Sequence, residues 1–502
     1  MTLAERAGRR LVIGLSGPTL TDADVRLFRD TGAGGVILYR RNFASPAALV
    51  RLLHELEGAL DRRLLVTTDH EGGRVLMLGE AVTVFPDGLA VGASAEPWQV
   101  EEQGRIEGRE LRRLGVDLSF APVVDVLDET YSPNIGIRAY GRYPGRVAAL
   151  GAARVGGLQA SGVSACAKHF PGQGPGRVDA HLGLPVIDAG WEEMRARHLV
   201  PFHAAIRAGV DAVLTSHPIY AALDPDVPAT FSRRLVADLL RGELGFQGLV
   251  ISDDLEMGAV AALVPVGEAA VRAVAAGHDL LLVCHTERAQ RAAHTALVAA
   301  YRAGRLDPAE SERSLARVER LQARRAGRFV DGPPRAEMAG AALARAFARA
   351  AARVVTGVAW KRADVDEGPV VAVFPRLSDL ADRITVEAAM RDEAGWVKGV
   401  CATHGLSTEV LVVGVEPTGA QVEQAVAAAR VARATILFLY DAHLHGSTRA
   451  LLDAIQGAAR RLAVILMRNP WDAAWLRSGV TGVTAFGWRA CQLEAAVAAV
   501  LA

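Results

Sequence analysis

Gly248–Asp254 reads GLVISDD, an apolar run that ends on two carboxylates. Seven other runs share its form: LVIGLSG from Leu11, GGVILYR from Gly34, LLVTTDHE from Leu64, LSFAPVVDV from Leu118, SACAKHF from Ser164, DAVLTSH from Asp211 and DLLLVCH from Asp279. Helix-patterned segments lie between most of them. Strands that are apolar throughout and alternate with helices imply a parallel sheet covered on both faces. Eight such units between Leu11 and His285 fit a closed (β/α)8 barrel better than an open sheet. The polar residues strengthen this reading. Asp69-His70-Glu71, Asp125, Lys168-His169, His217, Asp253-Asp254 and His285 fall at the C-terminal ends of their runs. In a barrel those ends ring one mouth, where active sites are built. A lone charge at a strand end is ordinarily a solvated loop residue, but a ring drawn from six strands points to a site.

Downstream, VVAVFPR from Val370, EVLVVGV from Glu409, TILFLYD from Thr435, LAVILMRNP from Leu462 and GVTAFG from Gly482 alternate with helical segments. They predict a smaller, doubly wound α/β domain without a Walker loop or GxGxxG fingerprint. The expected division is a catalytic barrel over residues 1–330, a helix-rich connector over 331–361 and the α/β domain over 362–502. Asp331-Gly332-Pro333-Pro334 opens the connector.

Composition narrows the function classes. Lys and Arg number 56 and Asp and Glu number 56, so the basic footprint of a nucleic-acid binder is missing. The Arg-rich stretch Arg317–Arg328 alternates with apolar residues at helical spacing, as a solvated helix face does. Cys166, Cys284, Cys401 and Cys491 form no CxxC and no Cys/His cluster, which favours buried free thiols. The apolar stretch after Arg9-Arg10 is too short for a signal-peptide core, and no run has the length of a membrane span. The expectation is a cytoplasmic enzyme with no membrane or nucleic-acid partner. Oligomeric state is left open.

The chemistry concentrates in Lys168–Pro185, KHFPGQGPGRVDAHLGLP. Residues two apart on extended chain share a face, so Asp179 can orient His181, the side chain suited to proton exchange near neutral pH. Asp253, directly after a strand, has the place of a nucleophile or a metal ligand; Asp253 or Asp254 can equally cap the next helix. Lys168 and His169 offer adjacent donors or a salt bridge, and Arg138 reaches inward or lies on the surface. Asp69 precedes Glu71-Gly72-Gly73-Arg74, whose paired glycines permit a tight turn and close ligand approach. No spacing resembles a metal-ligand motif, so the expected site has neither metal nor cofactor.

These motifs together resemble the bacterial β-N-acetylglucosaminidases of glycoside hydrolase family 3. The family loop runs approximately KHFPGHGDTxxDSHxxLP, and Lys168-His169-Phe170-Pro171-Gly172, Gly174, Asp179, His181, Leu184 and Pro185 match it. DHEGGRV from Asp69, the GxRxYG segment around Arg138, PATFS from Pro228 and ELGFQGLVISDDLEM from Glu243 also match. RNPWD from Arg468 is similar to the RNPYD segment of the family's second domain. The resemblance implies Asp253 as nucleophile and His181 as general acid/base oriented by Asp179. It implies Asp69, Arg138, Lys168 and His169 as sugar-binding positions, with Asp125 and His217 in the pocket. Gln173, Pro175-Gly176, Ala180 and Ile137 depart from the family pattern.

The reaction so implied is retaining removal of terminal β-linked N-acetylglucosamine, from peptidoglycan fragments such as imported muropeptides. Its transferring base is neutral, so an anionic acceptor meets no repulsion, and a phosphorylase is the first alternative. A route assisted by the substrate's acetamido group would need an acidic pair such as Asp128-Glu129. A non-catalytic carbohydrate-binding relative is the alternative from another class.

Overall fold

The computed structural model describes residues 1–128, 132, 134–176, 183–324, 336–365, 368–380 and 392–501. All eight expected runs are strands: β1 (Leu11–Gly14), β2 (Gly35–Leu38), β3 (Leu65–Thr68), β4 (Leu118–Ser119), β5 (Ser164–Phe170), β6 (Ala212–Thr215), β7 (Leu249–Ser252) and β8 (Leu281–Val283). They form one sheet in the order β7-β6-β5-β4-β3-β2-β1-β8, with every registered pair parallel. A parallel bridge between Ile251 and Leu280 joins β7 to β8 and closes the ring.

Strand period explains the continuous apolar runs. Val12, Ile37, Leu65, Leu214, Ile251 and Leu282 belong to one buried cluster, while Leu11, Ile13, Val36, Leu38 and Val66 pack with helix residues such as Phe28, Leu52 and Leu297 in another. Both faces are therefore dry, and each such side chain contributes roughly 1.5–3 kcal/mol of burial free energy. The helices between strands start where their sequence dictates. In Pro46–Leu60 the Ser45 hydroxyl accepts the Ala48 N–H and proline occupies the first turn.

The chain divides into two compact units. The first comprises Met1–Glu71, Leu76–Thr83 and Glu96–Gly340; the second comprises Gly72–Val75, Val84–Ala95 and Ala341–Ala502. The second unit carries β9 (Val354–Thr356), β10 (Val370–Pro375), β11 (Thr408–Val413), β12 (Ala434–Leu439), β13 (Leu462–Leu466) and β14 (Thr481–Thr484). Their order is β9-β14-β13-β12-β10-β11. β10 lies between β11 and β12, so strand order reverses there, as in doubly wound sheets. β9 pairs antiparallel with β14 at the edge. It adds a strand to a stretch whose sequence reads as helical connector; the helix there is Met338–Ala351. All four cysteines are free, three of them buried. Among the described residues no helix is long and apolar enough to cross a membrane.

Candidate active site

The site grows from the ends of β3 to β7. Past β3, Asp69 and Glu71 are two apart, and both carboxylates meet Lys168 of β5. The Lys168 Nζ lies 2.5 Å from Asp69 Oδ1 and 2.6 Å from Glu71 Oε1. Arg138 holds Glu71 with two parallel bonds, Nη2 to Oε1 at 2.6 Å and Nε to Oε2 at 2.8 Å. Such a fork is the strongest geometry a carboxylate can be offered. Burial alone would raise the Glu71 carboxyl, but Arg138 and Lys168 overcome it and hold the group well below the usual carboxylate range. Lys168 is buried too, yet Asp69 and Glu71 keep its ammonium charged well above the ordinary pKa.

A second layer supports this clamp. His169 Nδ1 lies 2.7 Å from Asp125 Oδ2, and its Nε2 lies 3.2 Å from Arg138 Nη2. Asp125 is fully buried. Its other oxygen accepts the Gln173 backbone N–H at 2.6 Å, and the Gln173 side-chain oxygen accepts from Asn134 Nδ2 at 3.1 Å. Asn134 in turn accepts from Arg138 through its carbonyl at 3.0 Å. Gln173 thus ties the loop after β5 to both Asp125 and the Arg138 segment. Gly174 makes this approach possible, because a Cβ there would fall 1.6 Å from the Val126 carbonyl oxygen. From behind, Arg154 donates to the Glu71 carbonyl at 3.1 Å and pairs with Glu107 at 2.6 Å. Its helix, Pro144–Ala160, packs closely on Pro97–Arg113 because Gly157 leaves room where a Cβ would meet the Glu101 carbonyl at 2.0 Å.

Asp253 follows β7 and is partly buried. Its Oδ1 accepts the Asp254 N–H at 2.9 Å. Burial pushes its carboxyl up, but His217, His169, Lys168 and that N–H prevail and hold it below the ordinary 3.8. His217, past β6, is wholly buried. Its Nε2 donates to the Asp254 carbonyl at 2.9 Å, and Nδ1 lies 2.7 Å from Thr230 Oγ1. Thr230 Oγ1 also lies 2.9 Å from the Ser216 carbonyl oxygen. The hydroxyl bridges that carbonyl and the His217 ring, and so fixes the orientation of the imidazole beside Asp253.

The structure gathers Asp69, Asp125, Arg138, Lys168, His169, His217 and Asp253 at one barrel mouth. Asp179 and His181 lie outside the described residues, as does Glu129 of the rival acidic pair. Asn134, Gln173 and Thr230 enter as supports to which sequence reading gave no role, and Glu71, counted there only among the strand-end charges, becomes the centre of the clamp. The signal for Glu71 was its place two residues beyond Asp69 at a strand end; Thr230 carries no comparable mark. Among the described residues no group of His, Cys, Asp and Glu is arranged to hold a metal ion.

The sequence profile of the glycosyl hydrolase family 3 N-terminal domain matches residues 10–321. A β-hexosaminidase of Stenotrophomonas maltophilia (strain R551-3) is 39% identical over 290 residues, covering 57% of this chain and 86% of that protein. One from Thioalkalivibrio sulfidiphilus is 38% identical over 322 residues, 63% of this chain and 89% of its own length. Among solved structures, the glycoside hydrolase family 3 β-N-acetylglucosaminidase from Paenibacillus sp. str. FPU-7 is similar with TM-score 0.91 and 32% identity. That match covers 100% of this chain and 97% of the other. NagZ from Neisseria gonorrhoeae, solved with N-trifluoroacetyl-D-glucosamine, matches with TM-score 0.54 and 31% identity over 68% of this chain and 98% of its own.

Proposed function

We propose how this chain, which belongs to glycosyl hydrolase family 3, uses its barrel mouth: as a retaining β-N-acetylglucosaminidase that removes terminal N-acetylglucosamine. The observation that carries this reading is the state of Asp253. A carboxylate that is partly buried, yet held below its ordinary pKa by His217, His169, Lys168 and the Asp254 N–H, has the charge and access a glycosyl nucleophile needs. The names of the β-hexosaminidase and β-N-acetylglucosaminidase relatives support the sugar class.

In this reading Asp69, Arg138, Lys168 and His169 hold the non-reducing hydroxyls, with Glu71 locking Arg138 and Lys168 in place and Asp125 holding His169. Asp253 attacks C1 and forms the C1–O bond as the bond to the leaving oxygen breaks. His181, oriented by Asp179, gives its proton to that oxygen. Neutral His181 then takes a proton from water, which attacks C1 as the bond to Asp253 breaks, and β configuration is restored. Peptidoglycan fragments handled in the cytoplasm are the proposed natural substrates.

The test is covalent trapping. A 5-fluoro-β-N-acetylglucosaminyl fluoride should label one peptide, at Asp253, and Asp253→Ala should lower kcat on an aryl β-N-acetylglucosaminide by at least about a thousandfold. Full turnover by Asp253→Ala, or an α-configured first product by NMR, defeats the proposal. Running the same assay with phosphate identifies the acceptor: the product is free N-acetylglucosamine in the hydrolytic reading, and exclusive sugar 1-phosphate rejects it.

A further inference from the structure

Five strands, β3 to β7, carry the groups described above, and the remaining arc of the mouth belongs to β8, β1 and β2. Past β2 comes Tyr39-Arg40-Arg41, and past β8 comes Cys284-His285. These two ends are built against one another. The rings of Tyr39 and His285 lie 5.0 Å apart at 42°. The Arg41 guanidinium sits 4.8 Å from the Tyr39 ring centre and is tied down by the Leu15 and Cys284 carbonyls at 2.9 and 2.7 Å.

His285 is fixed at both nitrogens. A guanidinium only donates, so Nδ1 accepts from Arg41 at 3.1 Å, and Nε2 lies 3.2 Å from Asp254 Oδ2. The backbone is held as well, since the His285 N–H donates to Glu256 at 2.6 Å. Nevertheless 46% of the side chain is exposed. With both nitrogens occupied, what faces solvent is carbon: a flat ring, rigidly presented, bonded to Asp254, the residue after Asp253. Rigid aromatic faces are what sugar rings and other flat ligands stack upon, at little entropic cost.

In-line attack puts the leaving oxygen on the face of the sugar opposite Asp253, so the aglycone rises from C1 to the rim of the mouth, where the β8-to-β2 arc is the part not taken by the β3-to-β5 clamp. We propose that the Tyr39–His285 pair is the platform for that aglycone, so that the enzyme selects glycosides whose leaving group is itself a pyranose ring. This assignment rests on the function proposed above for Asp253 and the β3-to-β5 clamp.

The experiment compares two substrates with the same sugar and different leaving groups: β-N-acetylglucosaminyl azide, which carries no ring, and chitobiose, which carries a pyranose. For His285→Ala the ratio of kcat/KM, chitobiose over azide, should fall about threefold to tenfold, the range of a single stacking contact. His285→Phe keeps the ring and removes the bond to Asp254, and it should restore the ratio to within about twofold of the unmodified chain. Equal losses on both substrates would show that His285 acts only through Asp254, and would overturn the assignment. A Phe variant that behaves like the Ala variant overturns it too. If the unmodified chain cleaves neither substrate, the function proposed above fails and the platform falls with it; if it cleaves both and the ratio is unmoved, the platform alone fails.

Discussion

The hydroxyl of Thr230 sits 2.7 Å from His217 Nδ1 and 2.9 Å from the Ser216 carbonyl oxygen, and it aligns a ring whose Nε2 meets the Asp254 carbonyl. Thr230→Val removes the hydroxyl while keeping the shape. The His217 ring then loses a buried partner that orients it, and its electrostatic hold on Asp253 weakens. The Asp253 carboxyl is held below its ordinary value partly by His217, so its pKa should rise in the variant. The acidic limb of kcat/KM, which reports the free enzyme, should therefore move to higher pH, with about 1 kcal/mol of stability lost with the hydrogen bond. Thr230→Ser should restore the limb; a Val variant with an unmoved limb refutes the charge argument. Asp253 and Lys168 were legible in the sequence because charged residues at strand ends announce themselves, whereas Arg138, in the turn Gly136–Arg138, stood out only through the GxRxYG resemblance. Thr230 was not, because a hydroxyl between alanine and phenylalanine acquires its role only from the strand it meets.

The loop after β5 shows how an element inherits its precision from close backbone approach. Gly174 rests on the Val126 carbonyl, and only in that position does the Gln173 N–H reach Asp125 at 2.6 Å. Gly174→Ala forces the loop base outward, loosens Asp125 and with it His169. We expect kcat/KM to fall by about tenfold to a hundredfold, the cost of displacing a positioned group by an ångström or so. Gly190→Ala is the control: its Cβ would meet nothing within 4 Å, and its φ of −67° suits any residue. Wild-type kcat/KM in Gly174→Ala would show that the contact is dispensable. The barrel strands themselves were easy to read because both faces are buried and each run is mostly apolar, with its polar residues gathered toward the C-terminal end. β9 was not, since Val354 and Val355 are 37% and 44% exposed and three residues give no period.

Within the second unit, two segments drawn from the stretch between β3 and β4, Gly72–Val75 and Val84–Ala95, pack with chain from beyond residue 340. Arg489 Nε donates to the Gly73 carbonyl at 2.7 Å. Phe85, fully buried, sets its ring 6.2 Å from that of Phe347, and Ala90 clusters with Ala351 and Phe486. No periodicity reveals such an exchange, because each segment is too short to declare a partner and the partners lie hundreds of residues away in sequence. A chain ended at Gly340 would keep all eight barrel strands but strip these segments of what covers them. Phe85 and Val91 alone would each expose side chains worth roughly 1.5–3 kcal/mol of burial, in one contiguous patch of the kind that drives association. The truncated chain should bind a hydrophobic dye, sediment as aggregates at micromolar concentration, and unfold at lower temperature than the full chain. Replacing Phe85 with Ser in the truncated chain should reduce both dye binding and aggregation, because the largest apolar group of the patch is then gone. A truncated chain that stays monomeric, binds no dye and melts where the full chain melts would show that those segments find their own cover, and that the second unit is not what keeps them folded.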